Sequence, residues 1–189
     1  MNIDCDKLYQ KENIPWEQDG NGKRLKNYYQ QSRDKLYILI NKFGTNISEV
    51  GCGLGYCLNY LTNHKEGKFT GYDISPTAIK KASGLFPTLN FKVLDIRKEV
   101  VKDQMIILNE LLWYVIKDLD KVLDNCKCKY LVINQSFLPV QKFDKDLING
   151  FNGLVKYVLS KDYTIIHSDY DYLGKPLMNG VILCIKQNI

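Results

Sequence analysis

The chain has 189 residues, 45% of them hydrophobic and 25% charged, with a formal net charge of +5 and a pI near 8.7. That length can bury one sizeable core and is cramped for two, so one domain over residues 1–189 is expected. The longest apolar runs, such as those at 36–40 and 105–108, are far too short to span a membrane, and the N-terminal stretch lacks a signal-peptide core, so a soluble cytoplasmic protein with no membrane contact is expected.

The lysines are interleaved with acids instead of forming blocks, which fits a solvated surface better than a nucleic-acid face. Cys5, Cys52, Cys57, Cys126, Cys128 and Cys184 show no paired CxxC spacing and read as free thiols of a reducing compartment. Only two histidines accompany the Cys126/Cys128 pair, so no metal site is expected. No repeat or Pro-rich linker divides the chain.

In chain order, apolar residues at Leu25, Tyr28, Tyr29, Leu36, Leu39, Ile40 and Phe43 keep helical spacing and predict one long helix ended by Gly44. A short strand through Ile47 to Val50 follows, then a glycine turn and a helix through Leu58 and Leu61 that stops by Gly67. Residues 68–75 read as a second strand, and Ser75 before Pro76 is a helix start. Strands at 90–96, 104–110 and 129–137 come next, with a helix at 116–126 between the last two. A helix over 144–161 leads to two late strands, 163–172 and 179–187, joined by turn residues. Strands alternating with helices and finishing in a hairpin imply an α/β fold whose sheet is mostly parallel with an antiparallel strand at its end.

The segment EVGCGLGYCLNYL, from Glu49 to Leu61, places Gly51, Gly53 and Gly55 at alternate positions between the first strand and a helix. Such a turn lets the backbone approach a ligand closely and presents amides at a helix start. The dinucleotide fingerprint wants two residues between its second and third glycines, and Tyr56 occupies that third position, which weakens a nicotinamide reading. Asp73 lies 22 residues beyond Gly51, and Asp95 lies 22 beyond Asp73, each closing a strand. A carboxylate after the second strand suits the two hydroxyls of a ribose, and one after the third suits an adenine amine. Either acid alone could also be an ordinary strand end or a helix cap.

This arrangement resembles the class I S-adenosylmethionine-dependent methyltransferases, from the helix before Glu49 to the final strand. The resemblance implies a three-layer α/β/α Rossmann-like fold with a seven-stranded sheet. It implies that Glu49, Gly51, Cys52, Gly53 and Gly55 hold the methionyl part of S-adenosylmethionine, or of its product S-adenosylhomocysteine. Asp73 with Ile74 would hold the ribose, and Asp95 with Ile96 the adenine edge. Residues 107–115 fall where the family places its fourth motif, which puts Asn109 and Leu111 beside the sulfonium. Trp16 is expected to cover the cofactor from an N-terminal lid within residues 1–43, although Tyr9, Trp16, Tyr28 and Tyr29 could equally be helix packing.

Asn109 is followed by Glu110, Leu111 and Leu112 in place of Pro-Pro-aromatic, which disfavours a DNA-base amine as substrate. His167, Tyr114 and Glu110 are the candidate catalytic bases. Lys23, Arg24 and Arg33 are candidate cations for a phosphate or carboxylate, against the plainer reading of exposed helix charges. The expected acceptor is a small molecule, such as a sugar, sugar nucleotide or other anionic metabolite of surface-carbohydrate or natural-product biosynthesis. An RNA or protein methyltransferase, or a non-catalytic cofactor-binding protein of the same fold, are the competing readings.

Overall fold

The computed structural model describes residues 4–22, 25–43, 45–138, 146–172 and 178–186. Seven strands form one sheet: β1 (Asn46–Val50), β2 (Lys68–Asp73), β3 (Asn90–Val93), β4 (Met105–Asn109), β5 (Tyr130–Phe137), β6 (Tyr163–Tyr172) and β7 (Met178–Lys186). Their spatial order is β3-β2-β1-β4-β5-β7-β6. All neighbours from β3 to β5 pair in parallel, and β7 pairs antiparallel with both β5 and β6. The antiparallel strand is thus last in the sequence but lies one place in from the edge, between β5 and β6. Val101–Lys102 and Cys126–Lys127 form a separate two-residue parallel pair.

Alternation along the strands sorts the core onto two faces. Met105 and Ile107 pack with Val132, Val181 and Leu183 beneath α2 (Lys26–Ile40) and α3 (Tyr56–Thr62). Ile106 and Leu108 pack with Leu131, Ile133 and Ile182 beneath α5 (Leu112–Val115), α6 (Leu119–Asn125) and α7 (Gly150–Leu159). Burying each such side chain contributes roughly 1.5–3 kcal/mol relative to exposure. The helical layers on both faces match the expected α/β/α arrangement.

Three elements differ from the sequence reading. β3 stops at Val93 because Asp95 turns the chain, its carbonyl accepting the amides of Lys98 at 2.9 Å and Glu99 at 3.0 Å. The helix expected over 116–126 opens with a 3-10 turn, Ile116–Asp118, before α6. The helix expected from residue 144 begins only at Gly150, because Asn149 is extended and Gly150 has φ +64°. Gly44 and residues 173–177, expected as a helix stop and a hairpin turn, lie outside the described residues.

The N-terminal residues add a helix, α1 (Cys5–Lys11), and a 3-10 turn, Pro15–Glu17. α1 docks on α4 (Pro76–Leu85) through complementary caps. The Asp6 carboxylate accepts the Ser75 hydroxyl at 2.6 Å and the Thr77 amide at 3.0 Å, while the Lys81 ammonium donates to the carbonyls of Tyr9 and Glu12 near the C-terminal end of α1. No helix among the described residues is long and apolar enough to cross a membrane. None of the six cysteines is in a disulfide.

Candidate functional site

A cavity of about 560 Å³ opens where the parallel strands end, between the glycine turn, α2 and the N-terminal segment. This is where loops of an open α/β sheet diverge and leave a crevice. The turn begins with the amides of Gly51 and Cys52 donating to the Tyr72 carbonyl at 2.8 and 3.0 Å. Gly53 has φ +53°, and a Cβ there would meet the Gln18 side chain at 2.5 Å and the Tyr9 hydroxyl at 2.6 Å. Glycine takes that backbone without strain and leaves room for that approach. The N-terminal segment therefore rests directly on the turn.

The two spaced acids stand in different environments. Asp73 is buried, with one carboxylate oxygen accepting the Gly53 amide and the other the Ser75 amide, each at 2.9 Å. Burial raises its pKa, and the two amides oppose that shift. Asp95 takes the Arg97 guanidinium in a bidentate pair at 2.8 and 2.9 Å, which holds its carboxyl below the ordinary carboxylate value. An adenine amine at Asp95 would share it with Arg97.

Beneath the cavity the sheet turns polar. The Asn109 side-chain amide donates to Glu49 Oε1 at 3.0 Å, and that of Asn134 donates to Asn109 Oδ1 at 2.7 Å and to the Ser32 hydroxyl at 2.8 Å. Asn179 continues the chain, donating to Asn134 Oδ1 at 2.9 Å and to the Tyr28 hydroxyl at 3.3 Å. Tyr28 donates to Glu110, whose other oxygen accepts Gln135 Nε2 at 2.9 Å, the Ser136 amide at 3.1 Å and the Ser136 hydroxyl at 2.6 Å. Glu110 has φ +55°, held by its amide donating to the Asn134 carbonyl at 2.8 Å. A non-glycine residue in that region marks a conformation its surroundings impose. Burial raises the Glu110 pKa, and it pushes that of Glu49 up to about 7.

Four buried side-chain polar atoms among the described residues have no hydrogen-bond partner; besides Glu17 Oε2 and Asn179 Oδ1, they are Glu49 Oε2 and Arg33 Nε. The Glu49 and Arg33 side chains both line the cavity. Arg33 is tied to the turn through Gln18, whose carbonyl accepts Arg33 Nη2 and whose Oε1 accepts the Leu54 amide at 3.0 Å. Buried polar groups are normally paired, so these two mark where a ligand's opposite charges would complete the site.

Most of the residues expected from sequence line one space. Glu49, Gly51, Cys52, Asp73 and Ile74 border it at the turn, and Asp95 and Ile96 border the next strand end. Asn109, Glu110, Leu111 and Tyr114 follow from the fourth strand end, with Trp16 on the N-terminal side. Trp16 meets Tyr9 and Tyr114 edge-on at 5.7 and 6.0 Å. Gly53 and Gly55 are buried beneath the turn and do not border the cavity; Cβ atoms there would strike Gln18 and Phe91 respectively. His167 is not brought to the site. It stands exposed on β6 opposite Leu183, beside a register shift in the strand, and is not part of the cavity wall. Lys23 and Arg24 lie outside the described residues. Sequence reasoning missed Gln18, Arg97, Gln135 and Ser136, all of which border the cavity. The run Asn134-Gln135-Ser136 closing an apolar strand was the available signal.

A methyltransferase-domain family model matches residues 48–134, from β1 to the middle of β5. That match spans the glycine turn, both acids and the fourth strand end. Residues 48–134 of the chain thus carry the pattern of a methyltransferase domain. The 235L protein of Invertebrate iridescent virus 6, which carries a methyltransferase name, is 37% identical over 67 residues, 35% of this chain and 24% of the viral one. The chain thus matches about a quarter of that relative's length. The N-methyltransferase NodS of Bradyrhizobium japonicum WM9, solved with S-adenosylhomocysteine, superposes with a TM-score of 0.73 at 16% identity, over 98% of this chain and 100% of NodS. Magnesium protoporphyrin IX methyltransferase (ChlM) of Synechocystis PCC 6803, solved with S-adenosylmethionine, gives 0.69 at 14%, over 98% and 99%. At these identities the likeness is one of fold.

The chain's own residues fit S-adenosylmethionine, the cofactor that the sequence resemblance implies. Its methionyl end carries an ammonium and a carboxylate, which match the unpartnered Glu49 oxygen and Arg33 nitrogen. Ile74, unusually exposed for its type at 45%, offers an apolar surface next to Asp73.

Proposed function

We propose that the chain transfers a methyl group from S-adenosylmethionine to a small molecule, using the described cavity for both. The observation that carries this is the pairing of an incomplete zwitterion site, Glu49 and Arg33, with the glycine turn and Asp73 at one end of the space. In this reading Glu49 and Arg33 hold the two charges of the cofactor's amino-acid end, Asp73 the ribose, and Asp95 with Ile96 the adenine edge. When bound, the cofactor supplies an electrophilic methyl on sulfur, and transfer leaves the broken bond's electron pair on that sulfur.

The protein's part is alignment and exclusion of water. Orientation alone can supply on the order of 7–11 kcal/mol in favourable cases. Trp16, Tyr9 and Gln18 border the cavity from the N-terminal side, so the segment that carries them acts as its cover and works with the sheet as one methyltransferase unit. A cavity of about 560 Å³ favours a small acceptor over a nucleic acid or a protein. Among the described residues the cavity wall carries more carboxylates than cations, which disfavours the anionic metabolites that the sequence suggested.

Calorimetry with S-adenosylhomocysteine tests the reading. At 100 times its dissociation constant the product should stabilise the fold by about 2.7 kcal/mol. No heat of binding and no thermal shift with either form of the cofactor would overturn it.

A further inference from the structure

Among the described residues, six carboxylates border the cavity, those of Asp4, Asp6, Glu49, Asp73, Asp95 and Glu110, against two guanidinium groups, Arg33 and Arg97. Arg97 is engaged by Asp95, and Arg33 lies at the glycine turn. Glu110 is held by four donors, all of them neutral: Tyr28, Gln135, and the amide and hydroxyl of Ser136. A carboxylate removed from water without a cation is costly, and neutral donors only partly offset that. Its backbone is also forced into the left-handed region, so the fold spends conformational strain to present this group here.

Aromatic rings border the same space. Trp16 and Tyr114 meet edge-on at 6.0 Å, and Tyr28 and Tyr29 at 5.7 Å. Ring faces attract cations, and they do so more strongly when both partners are out of water. A buried carboxylate lacking a cation, in an aromatic-walled and acid-rich cavity, is the chemistry that recognises an ammonium.

We propose that the methyl acceptor is an amine, whose protonated nitrogen docks on Glu110 within the aromatic wall of Trp16, Tyr28, Tyr29 and Tyr114. This rests on the methyltransferase reading above. An ammonium has no free electron pair, so it must lose a proton before it can accept a methyl group. The Glu110 carboxylate takes that proton, leaving a neutral amine in place, and the methylated nitrogen departs as an ammonium. No oxidant or reductant is needed. An alcohol would leave Glu110 without a counter-charge, and a carboxylate ligand would face a like charge.

The test uses three probes of one shape, phenethylamine, 2-phenylethanol and phenylacetate, titrated calorimetrically into the full chain saturated with S-adenosylhomocysteine. Phenethylamine should bind at least about tenfold more tightly than the alcohol, and phenylacetate should bind most weakly. Glu110→Gln should bring amine and alcohol to near-equal affinity while S-adenosylhomocysteine affinity stays within about twofold. The wild-type comparison stands even if that variant does not fold. Equal or tighter binding of the alcohol or the carboxylate, no binding of any probe, or an amine preference that survives Glu110→Gln would overturn the proposal. Failure of S-adenosylhomocysteine to bind at all would overturn both this and the methyltransferase reading, whereas product binding without amine preference would overturn only this one.

Discussion

Gln18 and Leu54 are joined across the cavity's edge, the Gln18 Oε1 accepting the Leu54 amide at 3.0 Å while the Gln18 Nε2 donates to the Tyr9 hydroxyl at 2.7 Å. One side chain thus ties the cover to the turn beneath it. Gln18→Ala should weaken S-adenosylhomocysteine binding about 3- to 10-fold, since a neutral hydrogen bond contributes about 0.5–1.5 kcal/mol, and should speed proteolysis within residues 4–22. Unchanged affinity and unchanged cleavage would show that the segment is held without this residue.

Arg33 offers a cleaner dissection of the cofactor site. Arg33→Ala should weaken S-adenosylhomocysteine about 10- to 100-fold, the range for hydrogen bonds to charged groups. Binding of 5′-methylthioadenosine, which keeps the adenosine and sulfur but lacks the amino-acid tail, should be nearly unchanged. Equal losses for the two ligands would place Arg33 away from the carboxylate.

Asp73→Ala should weaken product binding more than Asp95→Ala. Asp73 is buried and orders the turn by accepting the Gly53 and Ser75 amides, so its removal unsettles the turn as well as the ribose contact. Asp95 is already paired with Arg97, and its loss should cost only about threefold. Calorimetry on both variants decides the order, and a larger loss for Asp95→Ala would reverse the assignment of ribose and adenine ends.

Glu49 makes stability fall as pH rises. Burial lifts its pKa from 4.5 to about 7, so between those values the folded state holds a proton that the unfolded state has released. Stability from this group is fully present below about pH 4.5 and lost as pH climbs to about 7, about 3 kcal/mol in all. Glu49→Gln removes the titration. The melting temperature of the variant minus that of the wild type should therefore increase across this window and level off above it. Parallel melting curves over the whole range would refute the assignment.

The sequence by itself determined the alternation of strands and helices, the glycine turn and Asp73 at the end of a strand. Each of these is a local pattern in which spacing alone sets the outcome: period two or 3.6 for burial, positive φ for Gly51, Gly53 and Gly55, and a strand end for Asp73. Only the tertiary structure decided the floor of the site. Ser32 interrupts the apolar stripe of α2, and Asn134 and Asn179 interrupt apolar strands, so along the chain each reads as a fault in the pattern. Placing β5 beside β4 and β7, with α2 above them, turns these interruptions into one hydrogen-bonded line from Glu49 to Glu110. The same placement set His167 on an exposed strand outside the cavity and gave Arg33 its position at the turn through Gln18. A buried polar group needs a partner, and for Asn179 and Tyr28 that partner lies 151 residues away, where no local pattern could have announced it.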